Sequence, residues 1–385
     1  MKTCYQINLM QGYGGGEVYT RFFTRAVRKA GWRPVVFAHP KGPLFRRLQE
    51  DGVELVAVEN FAAIAAHLPQ SPCLIVSHTP ALDGLVPVLA SHYWASFAHM
   101  PQTGRNPAAY RPTDRVMGVS AYVNDTLCRA GIQQVWTEPM YGIADLVPRG
   151  TSKLQGIIRH SCYDWDKRKV RDRLMGWAEP MVELATRSLR KREVYRKRAG
   201  LTLGIVSRLT PIKQFPLMFE HLVPVLQQYA QVNLEIFGSG GYRSVADLRQ
   251  VLAPLGSRVR FWGQQSNVAE IYQQIDYLLS GLPEKEALGL NLIEAQACGT
   301  GVLAVNAPPF TETVKQGVTG WLYTDPRTDG GKSFEQCLQR LLRGEQLDRR
   351  EAAGHLAQFA EQAFEKRVAR LLQGLDLGMA DKFNG

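Results

Sequence analysis

Apolar positions in the first half of the chain come in short runs: Thr3 to Leu9, Pro34 to Ala38, Val53 to Val58, Cys73 to Ser77, Ala95 to Ala98 and Arg115 to Val119. Stretches of helical period separate them, and strands alternating with helices predict a parallel sheet buried on both faces. A second series follows at Leu201 to Ser207, Val232 to Phe237, Val259 to Trp262, Tyr277 to Ser280, Gly301 to Val305 and Trp321 to Tyr323. Two Rossmann-like units in succession are the expected α/β architecture. From about residue 153 to residue 200 strand character disappears and arginine and lysine accumulate. The pattern predicts a first domain over residues 1–195 that includes this basic connector, and a second over 196–365. Residues 366–385 close the chain with a last helical segment.

Composition agrees with that organisation. The 385 residues exceed one ordinary core, and 45% hydrophobic content with 35 Gly and 21 Pro describes a loop-rich globular chain. No apolar run is long enough to span a bilayer and the first ten residues lack an apolar signal core, so a cytoplasmic protein is expected. Six scattered cysteines without C-x-x-C spacing read as reduced core thiols. A net charge of +11 calls for an anionic partner, without choosing among phospholipid, phosphorylated acceptor and nucleic acid.

The candidate chemistry lies at strand ends. Glu286 and Glu294 stand eight positions apart, one in a turn and one inside the following helix, which Gly299 terminates. At 100° per residue Leu290, Ile293 and Ala297 share a face with Glu294 at its edge, where a carboxylate needs donors such as sugar hydroxyls. Arg208 and Lys213 follow the strand Leu201 to Ser207, and Thr210 with Pro211 is expected to cap the next helix. Two cations at a helix start suit an anion between them. The turn Gly12 to Gly16, ahead of Glu17, lets backbone N–H groups approach a ligand, and it lacks the G-K-[ST] of a Walker loop. His99 ends the strand Ala95 to Ala98, and His78 ends another. Arg21, Arg25 and Arg28 read as a solvated basic face, while Lys41, Arg46 and Arg47 around Leu44 and Phe45 form a pattern that suits a membrane surface.

The segment from Glu286 to Gly299 resembles the E-x7-E signature of retaining glycosyltransferases of the GT-B fold, family 4. It keeps Glu286, Gly289, Leu290, Glu294, Ala295, Ala297 and Gly299, and departs at Ala287 and Leu288. The resemblance implies an α/β GT-B protein with two Rossmann-like domains facing a central cleft, and a last helix that crosses back to the first domain. It implies catalytic roles for Arg208, Lys213, Glu286 and His99, with Arg208 and Lys213 on the donor diphosphate. Donor contacts are implied for Gly15, Gly16, Gly238, Gly263, Gln265, Ala287, Leu288, Gly289 and Glu294, with Glu286 reading the sugar and Glu294 the ribose. The expected substrate is a nucleoside-diphosphate sugar, a UDP-sugar favoured over a GDP-sugar, with no metal and no separate cofactor. Asp164-Trp165-Asp166 spells D-x-D but sits in the basic connector and reads as incidental. The implied acceptor is a saccharide or lipid-linked saccharide, as in cell-surface polysaccharide or lipopolysaccharide synthesis, reached from the inner face of the membrane; nucleic acid is not an expected partner. A nucleotide-sugar 2-epimerase of related fold and a non-catalytic basic binder remain the alternative readings.

Overall fold

The computed structural model describes residues 1–12, 14–80, 82, 84–143, 156–164 and 193–384, and within them every apolar run forms a strand. Two units result, one from Met1–Ile143 with Ala357–Gly385 and one from Ala144–Leu356.

In the first unit β1 (Thr3–Asn8), β2 (Arg33–Ala38), β3 (Glu54–Ala57), β4 (Leu74–Ser77), β5 (Tyr93–Ala98) and β6 (Arg115–Gly118) form one parallel sheet in the order β3-β2-β1-β4-β5-β6. Its principal helices are α1 (Gly15–Lys29), α2 (Pro43–Glu50) and α3 (Ala121–Arg129). The second unit repeats the design with β7 (Leu201–Val206), β8 (Val232–Phe237), β9 (Val259–Gly263), β10 (Tyr277–Leu279), β11 (Gly301–Val305) and β12 (Gly320–Tyr323), ordered β12-β11-β10-β7-β8-β9. Around that sheet lie α4 (Phe215–Gln227), α5 (Tyr242–Leu252), α6 (Val268–Gln274), α7 (Leu290–Ala297) and α8 (Lys332–Leu342). In each sheet the order reverses beside the first strand, and ligands of open α/β sheets gather at the strand C-termini next to such a point.

The boundary differs from the expected one near residue 195. Ile157, Cys162 and Tyr195 are buried in the core of the second unit, so the described part of the connector belongs there. At the other end, Phe359 and the helix α9 (Glu361–Asn384) belong to the first unit, where Phe364, Val368, Leu371, Leu372 and Leu375 are buried. Gly374 and Gly378 let α9 close on Trp136 and Tyr93, which a side chain at either position would strike. Most of the basic connector, with Trp165 and Asp166 of the D-x-D, lies outside the described residues.

Three surface expectations change. Arg21 and Arg25 are not a solvated face: Arg21 Nε reaches the Asp51 carboxylate at 2.6 Å and Arg25 Nη2 at 2.9 Å, while Arg28 stays exposed as it donates to the Asp51 carbonyl at 3.1 Å. Hydrogen bonds from Arg21 above all, and then from Arg25, hold the Asp51 carboxyl down at about 2. Leu44 is buried and so is not available to a lipid surface, and Phe45 is half-buried against the same small core. Cys128 is exposed, unlike the buried Cys4, Cys73, Cys162 and Cys337. Among the described residues no helix is long and apolar enough to cross a membrane.

Candidate functional site

At the C-terminal end of β7 the chain passes through Ser207 and Arg208 into buried Leu209, whose N–H donates to the Ser239 carbonyl at 2.7 Å. That anchor leaves Arg208 exposed, and no ion pair holds it among the described residues. Thr210 does not cap the next helix with its side chain. Pro211–Lys213 forms a single 3-10 turn, Gln214 adopts φ 53°, and α4 begins only at Phe215. The delay has a packing cause. The Lys213 carbonyl turns toward β10 and accepts the Leu282 N–H at 3.2 Å, a close approach that only the absent side chain of Gly281 permits.

Lys213 is thereby aimed at the loop that carries Glu286. The Glu286 N–H closes a turn on the Pro283 carbonyl at 2.9 Å, one carboxylate oxygen pairs with Lys213 Nζ, and the other accepts the Ala287 N–H at 3.2 Å. Arg327 steadies the loop from the other side by bridging Asp325 and Glu284. A cation and a backbone N–H are the two kinds of group that grip a phosphate, and here the carboxylate of Glu286 engages both. Sequence carried no sign of this pairing.

Gly289, at φ 83°, turns the chain into α7; an added Cβ there would press on Leu292 and Phe310 at 3.3 Å. Asn291 Nδ2 donates to the Val206 carbonyl at 3.2 Å and ties α7 to the end of β7. The buried face of α7 is Leu292, Ile293, Ala295 and Gln296, and Ala297 is exposed, because this eight-residue helix packs through Leu292 and Ala295 onto the sheet. Of the two positions that depart from the family signature, Leu288 is buried and Ala287 half-buried. Gly299 at φ 82° ends the helix, with Gly299 N–H on Gln296 at 3.0 Å and Thr300 N–H on Ala295 at 2.9 Å. Glu294 accepts the hydroxyl of buried Tyr272 at 2.9 Å. Burial first, and the neighbouring Glu294 second, hold that phenol well above its ordinary range, so Tyr272 remains a donor.

Gly238, Gly263 and Gln265 are accounted for by protein contacts. A Cβ on Gly238 would enter the Ser207 carbonyl, and one on Gly263 would strike the carbonyls of His160 and Ser161. The Gly238 N–H donates to the Gly263 carbonyl at 2.8 Å, and Gln265 Nε2 donates to Ile158 at 2.9 Å and Trp262 at 2.8 Å. These residues knit the 156–164 segment to the sheet edge. Their donor roles rest on the resemblance alone.

In the first unit Gly14 caps α1 and donates its N–H to Glu17 at 2.7 Å. Glu17 therefore serves the helix start, a job legible from its place three residues after the cap. Gly15 and Gly16 form the first turn, and a Cβ on Gly16 would meet nothing within 4 Å, so no contact among the described residues requires that glycine. His99 and His78 stack at 5.5 Å and 17°, with His99 Nε2 3.3 Å from His78 Nδ1. Tyr19 of α1 sets its ring edge against His99 at 5.0 Å and donates its hydroxyl to the Met140 carbonyl at 2.8 Å. Burial pushes His99 down to about 4, and burial and then His99 hold His78 well below the usual imidazole range, so both rings are neutral at physiological pH. Each unit thus gathers its own subset of the expected residues: Arg208, Lys213, Glu286, Ala287 and Glu294 in the second, Gly15, Gly16 and His99 in the first.

Comparison with known proteins adds an independent line. Residues 190–358 match the family described as Glycosyl transferases group 1. The D-inositol 3-phosphate glycosyltransferase of Mycobacterium leprae is 31% identical over 371 residues, covering 89% of this chain and 81% of that protein. The N-acetyl-alpha-D-glucosaminyl L-malate synthase of Bacillus anthracis is 40% identical over 92 residues, a segment covering 24% of this chain and 23% of that protein. Among solved structures, Anabaena HepE in complex with UDP-glucose aligns with a TM-score of 0.69 at 16% identity, covering 97% of this chain and all (100%) of that one. The lipopolysaccharide outer core galactosyltransferase WaaB aligns at 0.64 and 15% identity, with 97% and 100% coverage. These likenesses place both Rossmann-like units in the GT-B class.

Proposed function

Because the chain belongs to the glycosyl transferases group 1 family, we propose that it transfers a sugar from a nucleoside-diphosphate sugar to a hydroxyl acceptor with retention of anomeric configuration. The observation that carries the reading is the convergence of Lys213, Glu286 and the Ala287 N–H at the C-terminal edge of the second sheet; Arg208, just past the end of β7, is exposed. Arg208 and Lys213 hold the diphosphate, Glu286 takes sugar hydroxyls and Glu294 the ribose. The bond from the anomeric carbon to the diphosphate oxygen breaks while the acceptor oxygen bonds to that carbon on the same face. The acceptor proton passes to the departing phosphate, and the two cations stabilise the charge left there. UDP is the base-bearing leaving group we favour, supported by the UDP-glucose held by the structurally similar Anabaena HepE.

The acceptor is a saccharide or lipid-linked saccharide, in a reaction of cell-surface polysaccharide or lipopolysaccharide synthesis. A cavity of about 480 Å³ beside the start of α2, lined by Lys41, Gly42, Arg46, Arg47 and Glu50, supports an acceptor or surface that carries phosphate. Arg208→Ala and Lys213→Ala each remove a charge-assisted contact to the leaving group, so turnover with a UDP-sugar should fall by about 100-fold or more while the melting temperature holds. Wild-type rates in either variant would sink the assignment.

A further inference from the structure

The two stacked histidines of the first unit carry a consequence for hydrogen bonding that depends on where their protons sit. Both are neutral, so the 3.3 Å contact between His78 Nδ1 and His99 Nε2 has one proton, given by one ring to the other. The far nitrogen of His78, Nε2, is buried and has no hydrogen-bond partner. Were His99 the donor, His78 would carry its own proton on that Nε2, leaving a buried N–H unpaired. Were His78 the donor, Nε2 would be a bare lone pair. Orphaned buried donors are rarer and more costly than under-used acceptors. The second arrangement is therefore the stable one.

We propose that His78 is a positioning residue: its Nδ1–H donates to His99 Nε2 and fixes His99 as the Nδ1–H tautomer, an obligate hydrogen-bond donor toward a ligand oxygen. His99 is partly exposed at the C-terminal end of β5, and its Nδ1 has no protein partner among the described residues. The stack of His78, Phe97 and His99 and the edge contact from Tyr19 hold the plane of the ring, and a flip within that plane would carry Nε2 away from His78 Nδ1 and forfeit their hydrogen bond. The ligand group that fits is a lone-pair donor such as a sugar hydroxyl or phosphate oxygen, and an N–H donor group is excluded. This deepens the glycosyl-transfer reading and rests on it only for the identity of that ligand.

The test is tautomer assignment by long-range proton–nitrogen NMR of the full chain labelled with ¹⁵N-histidine, with His99 identified by its loss in His99→Phe. Wild-type His99 should show a protonated Nδ1 and a bare Nε2 from pH 6 to 8. His78→Asn, which returns an amide N–H near the position of Nδ1, should keep that signature. His78→Phe, which keeps a stacked ring but no donor, should lose it, and a thermal melt confirms that this variant is folded. A protonated Nε2 in the wild type, a charged ring at pH 7, or an unchanged tautomer in folded His78→Phe would overturn the proposal. None of these readouts needs a substrate, so they stand apart from failure of the transfer reading. In a UDP-sugar transfer assay, His78→Phe and His99→Phe should each lose about tenfold in turnover and the double variant no more, since one hydrogen bond is removed in all three. Additive losses would count against the linkage.

Discussion

Replacing Glu286 by glutamine separates two effects that a cruder substitution would merge. The carboxylate neutralises Lys213 and accepts the Ala287 N–H at 3.2 Å, and an incoming diphosphate has to compete for both. The two side chains keep 21% and 16% of their surface exposed. That places the pair between exposed bridges, worth at most about 1 kcal/mol, and buried ones, whose disruption costs about 3 to 5 kcal/mol. A value of about 1 to 2 kcal/mol follows, or roughly 5- to 30-fold in an equilibrium constant. Glutamine keeps the size and one acceptor oxygen but gives up the charge, so UDP should bind Glu286→Gln that much more tightly than the wild type. Turnover should move the opposite way. Hydrogen bonds from sugar hydroxyls to a charged acceptor contribute about 1.5 to 3 kcal/mol, and weakening them should slow transfer by roughly 10- to 100-fold. Calorimetric titration with UDP and initial rates with a UDP-sugar measure the two effects separately. Equal or weaker UDP binding would refute the competition, and unchanged turnover would refute the role of Glu286 in holding the sugar.

Two further outcomes concern stability. Glu235 is fully buried on β8 and accepts from Arg198 Nη2 at 3.0 Å, Arg260 Nη2 at 2.6 Å and Trp262 Nε1 at 2.7 Å. Glu235→Leu strands those donors at a cost of about 3 kcal/mol, the lower end for a buried pair because both arginines keep some exposure. The melting transition of the second unit should drop by roughly 6 to 12 °C, and a drop below about 3 °C in a calorimetric scan would contradict the account. The first unit should weaken in mild acid. His99 titrates near 4 when folded and near 6.5 when unfolded, so the unfolded chain binds the extra proton; stability is full above about pH 6.5 and is lost as pH falls toward 4. His99 alone should remove about 2 kcal/mol by pH 5, and His78 shifts in the same direction. Asp51, held near 2, adds its loss only below about pH 4, so the two windows separate in urea titrations at pH 7, 5 and 3. A flat response between pH 7 and 5 would overturn the buried-neutral reading of the pair.

The strands were legible because parallel sheets bury both faces, which writes strands as mostly apolar runs such as Leu74–Ser77 or Gly301–Val305. The unit boundary was not. Residues 156–164 and 193–200 pair with each other through the single bridge of Ile158 with Val194, and join the second unit through scattered contacts: the bridge of Tyr163 with Gly240, hydrogen bonds such as Gln265 to Ile158 and Arg198 to Glu235, and the buried side chains of Ile157, Cys162 and Tyr195. Isolated contacts of that kind leave no period in the sequence. Charge was misread for a related reason. Arg21 and Arg25 look solvated along α1 because Asp51, whose carboxylate collects them, arrives from the end of another helix. Glycine carries the same ambiguity in the site: Gly16 faces open space, whereas Gly238 and Gly263 are demanded by neighbouring carbonyls, and the letter G is identical in all three.

The Lys213–Glu286 pair also bears on which ligand the second unit prefers. Opening the pair leaves a half-buried ammonium and a half-buried carboxylate, each of which needs a new partner. A bare nucleoside diphosphate supplies an anion for Lys213 and nothing for Glu286, while a free sugar supplies hydroxyls for Glu286 and nothing for Lys213. Only the intact nucleotide sugar satisfies both, so the pair works against each product and in favour of the donor, which is selection by leaving the wrong ligand's site unsatisfied. The ratio of UDP-sugar to UDP affinity should therefore shrink in Glu286→Gln, where the amide tolerates being left alone. A ratio that survives the substitution would mean that the sugar is recognised elsewhere, and that the ion pair only holds the empty loop in place.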